Sequence, residues 1–136
     1  MTRYSDHFTR EELGDELTGE IHLADGFIDK LETLREAYGK PMIVTDGCRV
    51  IDTNEWLIRR GYGASLSSFH LIENPKWETG GCCAVDIARP RFADLGLLAA
   101  TAYWSEWAVG IGETFVHLDR RVDYTDLSAG IYTYDG

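Results

Sequence analysis

Apolar positions recur along this chain with two different periods. From about Asp25 to Tyr38 the side chains of Phe27, Ile28, Leu31, Leu34 and Tyr38 follow the three-and-four spacing of one helix face. Gly39 stands at the C-terminal stop and Pro41 just beyond it, so a helix is predicted to end there. Upstream, Thr9 followed by Glu12 in FTREELGDEL has the form of a capping box opening a short helix. Thr53 or Asn54 is expected to cap a third helix through WLIRR, ended by Gly61, and RFADLGLLAATAYWS, rich in Ala and Leu, predicts a central fourth. The other period is two. PMIVT, CAVDIA, AVGIG and TFVHLD read as short strands, and the β-prone IYTY at 131–134 as an edge strand, with GYGASLSS a loop.

Helices placed before and between short strands, joined by hairpin-like connections, predict an α+β fold with a small, mostly antiparallel sheet packed against helices. No repeat, low-complexity run or linker divides the 136 residues, so one domain over 1–136 is expected. Four Trp, seven Tyr and five Phe are ample for a core.

Charge narrows the list of partners. A net charge of −10 disfavours nucleic acid, whose phosphates call for clustered Lys and Arg, and offers no pull toward anionic membranes. No apolar stretch is long enough to insert in a membrane, and the polar start MTRYSDHFTREE does not read as a signal peptide; synthesis in the cytoplasm is expected. The absence of GxGxxG and Walker loops removes support for nucleotide binding. Three cysteines without a CxxC pattern read as buried thiols rather than a thiolate zinc site, with a Cys48 bridge to Cys82 or Cys83 as the alternative.

The strands also carry chemistry. Asp86 faces away from its neighbours Val85 and Ile87, and a carboxylate inside such a strand is costly unless it is paired or bound to metal. In TFVHLD the period of two sets Glu113, Phe115, His117 and Asp119 on one face, Val116 and Leu118 on the other. A histidine flanked by carboxylates is what a metal ligand with its base or orienting partner requires. With His70 added, two histidines and one carboxylate leave a fourth tetrahedral position open, the pattern of catalytic rather than structural zinc. Arg49, after a strand and a glycine turn, is placed to stabilise an oxyanion or hold a substrate carboxylate. Each residue alone has a plainer reading: His117 as a core histidine, Asp86 as a partner of Arg89 or a turn cap, Arg49 as a salt-bridge arginine. His7 and His22 lack matching partners and are expected at the surface.

Together, TDGCR (Thr45 to Arg49), Ser68-Phe69-His70, Ala84-Val85-Asp86 and VHLDRR from Val116 resemble, in this order, the SGYR, SxHxxGxAxD and HxD elements of the zinc D-Ala-D-Ala carboxypeptidase family. That family includes phage endolysin peptidases and shares its fold with hedgehog signalling domains. The resemblance runs from about His7 to Arg121. It implies zinc held by His70, Asp86 and His117, with Asp119 as leading candidate for the general base and Glu113 as the alternative. It also implies Arg49 as the substrate-binding, polarising arginine, Ser68 as a residue of the site wall, and peptidoglycan peptides as substrate. A monomer acting as a phage lysis or virion protein, released to the cell wall by a holin or carried in a virion, is the matching expectation. Two departures stand out. SGYR has become DGCR, so that Asp46 is placed to neutralise Arg49. The gap between His70 and Asp86 is lengthened by ENPKWETGG (73–81), expected at the rim of the cleft, where it tunes or blocks access. The rival reading is a non-catalytic metal-binding or structural module on the same fold.

Overall fold

A computed structural model describes residues 2–62 and 64–134. The elements run α1 (Arg10–Leu13), α2 (Phe27–Tyr38), β1 (Val44–Asp46), α3 (Ile51–Arg59), β2 (Ala84–Ala88), α4 (Phe92–Trp104), β3 (Ala108–Ile111), β4 (Phe115–Asp119), α5 (Arg121–Tyr124) and β5 (Ile131–Thr133). The fold is α+β, with one five-stranded sheet ordered β1-β2-β4-β3-β5 among the described residues. Every pair in it is antiparallel except β3 with β5, which run parallel at the edge.

Local chemistry accounts for most boundaries. The capping box on α1 forms as expected: Glu12 N–H donates to Thr9 Oγ1 at 3.2 Å and Thr9 N–H to Glu12 Oε1 at 3.0 Å. The other Glu12 oxygen accepts from Val44 N–H at 3.1 Å and so ties α1 to the start of β1. Gly39, left-handed at φ 75°, ends α2 with its N–H on Arg35 O.

α3 differs from expectation. It begins at Ile51, with Val50 as a cap residue that offers no side-chain bond, while Thr53 and Asn54 lie inside the helix and are buried. The cause is Asp15. This buried carboxylate accepts from Val50 N–H at 2.8 Å, Thr53 Oγ1 at 2.9 Å, and the N–H groups of Leu17 and Thr18. A residue thirty-five positions upstream thus takes over the role of a local cap. Burial works against charge on Asp15, but these hydrogen bonds outweigh it and hold its pKa below the usual value.

Cross-strand register divides the sheet into two faces. Val85, Ile87, Val109, Val116 and Leu118 are 0–1% exposed and pack with Phe27, Leu31, Leu34, Leu95, Leu98 and Trp107 from α2, α4 and the segment after it. On the other face one row crosses all five strands: Asp46, Asp86, His117, Gly110 and Tyr132 stand opposite one another in turn. Asp46 joins that row because the β1–β2 register slips between Val44, which opposes Ile87, and Asp46, which opposes Asp86. Such a bulge turns a side chain to the opposite face. Among the described residues, no helix is long and apolar enough to cross a membrane. The three cysteines are free and buried.

Candidate metal centre

Two strands and one loop bring His70, Asp86 and His117 together. Asp86 and His117 are direct partners on β2 and β4. His70 comes over them from the 61–83 connection, where the backbone pairs with the segment after β1: Arg49 N–H donates to His70 O at 2.8 Å and Ile72 N–H to Arg49 O at 2.9 Å. Donor atoms of the three side chains lie within 4.8 Å of one another, a group able to hold a metal ion. The two imidazole rings meet edge to face at 5.2 Å.

The remaining ring nitrogens fit the same purpose. His70 Nδ1 sits 2.8 Å from Gly47 O, an oxygen that only accepts, so Nδ1 carries a hydrogen, and Nε2 is the nitrogen turned toward Asp86 Oδ1 at 3.2 Å. His117 Nε2 lies 2.7 Å from Asp119 Oδ2, and its Nδ1 lies 2.9 Å from the same Asp86 oxygen. Histidines that ligate metals donate their second N–H to a carbonyl or carboxylate in this way. Gly47 allows the arrangement because a Cβ there would collide with the backbone of Leu13. Both rings are nearly closed off, at 4% and 6% exposed, whereas the Asp86 side chain keeps an opening to solvent.

Asp119 is fully buried and has no free oxygen. Oδ1 accepts from Arg121 N–H and Nε at 2.9 Å each, and Oδ2 from Arg121 Nη2 and His117 at 2.7 Å. Without metal, charge is therefore shared around the cluster. Burial opposes ionisation of His117, but its hydrogen bonds to Asp119 and Asp86 outweigh it and raise its pKa to about 10. Burial likewise opposes charge on Asp119, yet the bonds from Arg121 and His117 prevail and hold it at about 2. Asp86 is lowered by the two histidines, again against its own desolvation.

The other candidates fall in different places. Arg49 is 7% exposed, pairs through Nη2 with Asp46 and donates through Nη1 to Asn54 Oδ1 at 3.1 Å, while its buried Nε has no partner. Ser68 Oγ accepts from His70 N–H at 3.2 Å and shapes the turn that presents the histidine. Glu113 is exposed and precedes β4: Gly112 N–H bonds to Phe115 O at 2.9 Å, closing a turn over 113–114 that ends the period-two alternation there. Arg89 does not pair with Asp86; it donates to Gly112 O at 2.8 Å.

The lengthened connection is tightly built. Asn74, 5% exposed, donates to Ser67 O and Ser68 O at 3.0 Å and accepts from Lys76 and Trp77 N–H at 2.9 Å. Trp77 stacks on Phe69 at 6.2 Å, beside His70. The segment 73–81 therefore braces the turn that carries His70.

Motif reading singled out neither Arg121 nor the aromatic pair at the edge. Arg121 Cζ lies 5.1 Å over the Phe69 ring and 5.8 Å over Tyr132. Tyr134 approaches His117 to 6.5 Å between ring centroids. The available signal was the period of two in IYTY, which places Tyr132 and Tyr134 on one face. A sequence model of the family described as Peptidase M15 matches residues 6–119. No curated protein and no solved structure matches the chain.

Proposed function

Starting from the Peptidase M15 family, to which this chain belongs, we propose a zinc metallopeptidase that hydrolyses D-amino-acid-containing peptide bonds in peptidoglycan stem or cross-bridge peptides. The observation that carries this reading is the convergence of His70 Nε2 and His117 Nδ1 on one Asp86 oxygen, each ring fixed from behind by an acceptor. Such a donor set suits zinc with a position left for water or substrate. The chemistry a bound zinc ion supplies is Lewis-acid activation of water and polarisation of a carbonyl.

The residues of the chain divide the remaining work. His70, Asp86 and His117 hold the ion. Asp119 keeps the hydrogen on His117 Nε2 and thereby aims Nδ1 at the ion, while Arg121 keeps Asp119 charged and in place. We therefore assign Asp119 as a positioning residue, because all its described acceptor positions are engaged. Arg49, engaged with Asp46 and Asn54, anchors through its backbone the loop that presents His70. The proposed setting is the bacterial cell wall, reached from the cytoplasm by holin-dependent release or in a virion.

One observation favours a second reading, a metal-binding module without turnover: the Arg49 charge is already neutralised by Asp46. Metal analysis combined with hydrolysis of muropeptides by wild type and His117→Ala separates the two. The peptidase reading expects one zinc per chain and turnover lost in the variant. Stoichiometric zinc with no cleavage of any muropeptide supports the module instead.

A further inference from the structure

The hydrogen-bond donors around the centre are almost all in use. Arg49 directs Nη1 and Nη2 to Asn54 and Asp46, Arg121 is bound to Asp119, and each histidine spends its N–H on Gly47 or Asp119. Among the described residues Arg49 Nε lacks a partner but is buried, whereas the Tyr134 hydroxyl is weakly engaged and exposed. Its described partner is the Tyr132 hydroxyl at 3.5 Å, the outer limit of a hydrogen bond, and the residue is 44% exposed.

The fold seats this side chain with some care. Tyr132 stands opposite Gly110, which stands opposite His117. A Cβ on Gly110 would come within 2.7 Å of Cε2 of both Tyr132 and Tyr134, so the missing side chain is what lets the two rings lie over β3 beside the histidine. Tyr134 N–H is anchored to Ile111 O at 3.0 Å, its ring meets Phe115 at 5.1 Å, and the Tyr132 hydroxyl is held 3.4 Å from Arg121 Nη2. Both tyrosines lie beyond residue 119, where the family match ends.

We propose that Tyr134 is a substrate-contacting residue of this chain, its hydroxyl donating to a carbonyl or carboxylate oxygen of the bound peptide and its ring forming a wall of the site just past β5. It supplies a neutral donor where Arg49 is already neutralised, and Tyr132 is its positioning residue, held by Arg121. This inference rests on the metallopeptidase reading above. A neutral phenol suits a site already lined by Asp86, since it adds no further charge near an anionic peptide end.

The test uses the full zinc-loaded chain and a phosphinate analogue of D-alanyl-D-alanine, with affinities for zinc and for the phosphinate measured by calorimetry. Zinc affinity is expected to stay within about twofold in Tyr134→Phe, Tyr134→Ala and Tyr132→Phe. Phosphinate binding is expected to weaken about fivefold to tenfold in Tyr134→Phe, as for one lost hydrogen bond, and further in Tyr134→Ala. Tyr134→Phe keeps the ring, so folding does not confound the result. If wild type binds both zinc and the phosphinate and Tyr134→Phe matches it within about twofold, the inference is overturned and the metallopeptidase reading stands. A wild type that takes up no zinc overturns both, and a zinc-loaded wild type that does not bind the phosphinate overturns the inference.

Discussion

The two faces of the sheet are made from the same strands and obey opposite rules. On the helix-covered face, Val85, Ile87, Val116 and Leu118 are interchangeable in kind: each contributes by being apolar and the right size. On the other face, Asp46, Asp86, His117 and Tyr132 form a row in which each position depends on the identity of its neighbours. The polar groups there are stable because each has a specific partner: Asp46 pairs with Arg49, Asp86 with both histidines, and the Tyr132 hydroxyl lies against Arg121. β2 and β4 thus serve as core and site together, with alternation assigning residues to one or the other.

The difference can be broken most severely at the row itself. His117→Ala is expected to reduce muropeptide hydrolysis to background and zinc affinity by more than about a hundredfold, read by a chromogenic chelator competition, while the chain stays folded. On the other face Leu98→Ala should cost about 2–5 kcal/mol in urea unfolding and leave zinc stoichiometry in the folded protein unchanged. If the zinc ratio fell with stability, the two faces would not be separable.

Asp119→Asn probes the boundary between them. It is expected to weaken zinc binding about tenfold to a hundredfold, the usual effect of removing an orienting carboxylate. Loss of turnover with zinc affinity untouched would instead make Asp119 the base. Glu113→Gln, in the exposed turn, should change turnover by less than about twofold; a large loss would return Glu113 to the chemistry.

Acidity sharpens the contrast further. In the metal-free protein His117 is raised from 6.5 to about 10, so its stabilisation is complete below 6.5 and disappears as pH rises through about 10. Asp119 is lowered from 3.8 to about 2, so its contribution is present above 3.8 and is lost as pH falls toward 2. Metal-free stability should therefore peak between these limits. Zinc must displace the His117 proton, so zinc affinity should rise roughly tenfold per pH unit through neutrality, measurable by competition titration from pH 6 to 8.

Much of this was legible in the chain, for reasons that differ by residue. CAVDIA and FVHLD show their two faces directly, because side-chain direction in a strand is local. The capping box at Thr9 and the stop at Gly39 are equally local. The start of α3 was not legible, since Asp15 caps it from outside the helix and the local Thr53 is drawn inward to the same carboxylate. That His70 and Asp86 meet across the long connection followed from the resemblance, while the brace formed by Asn74 and Trp77 depends on contacts no spacing encodes. Arg121 and Tyr134 reach the site only through α5 and the parallel pairing of β5. The family model's match ends at residue 119, and the motif resemblance, which reaches Arg121, stops short of Tyr134.

Three side chains, from β2, β4 and the 61–83 connection, are proposed to hold one metal ion. Anomalous scattering at the zinc edge, from crystals of protein purified without chelator, tests it most directly. One strong peak is expected about 2.0–2.2 Å from His70 Nε2, an Asp86 oxygen and His117 Nδ1, with the Asp119 carboxylate on the far side of His117. No peak there after zinc is added, or a peak held by other residues, would contradict it.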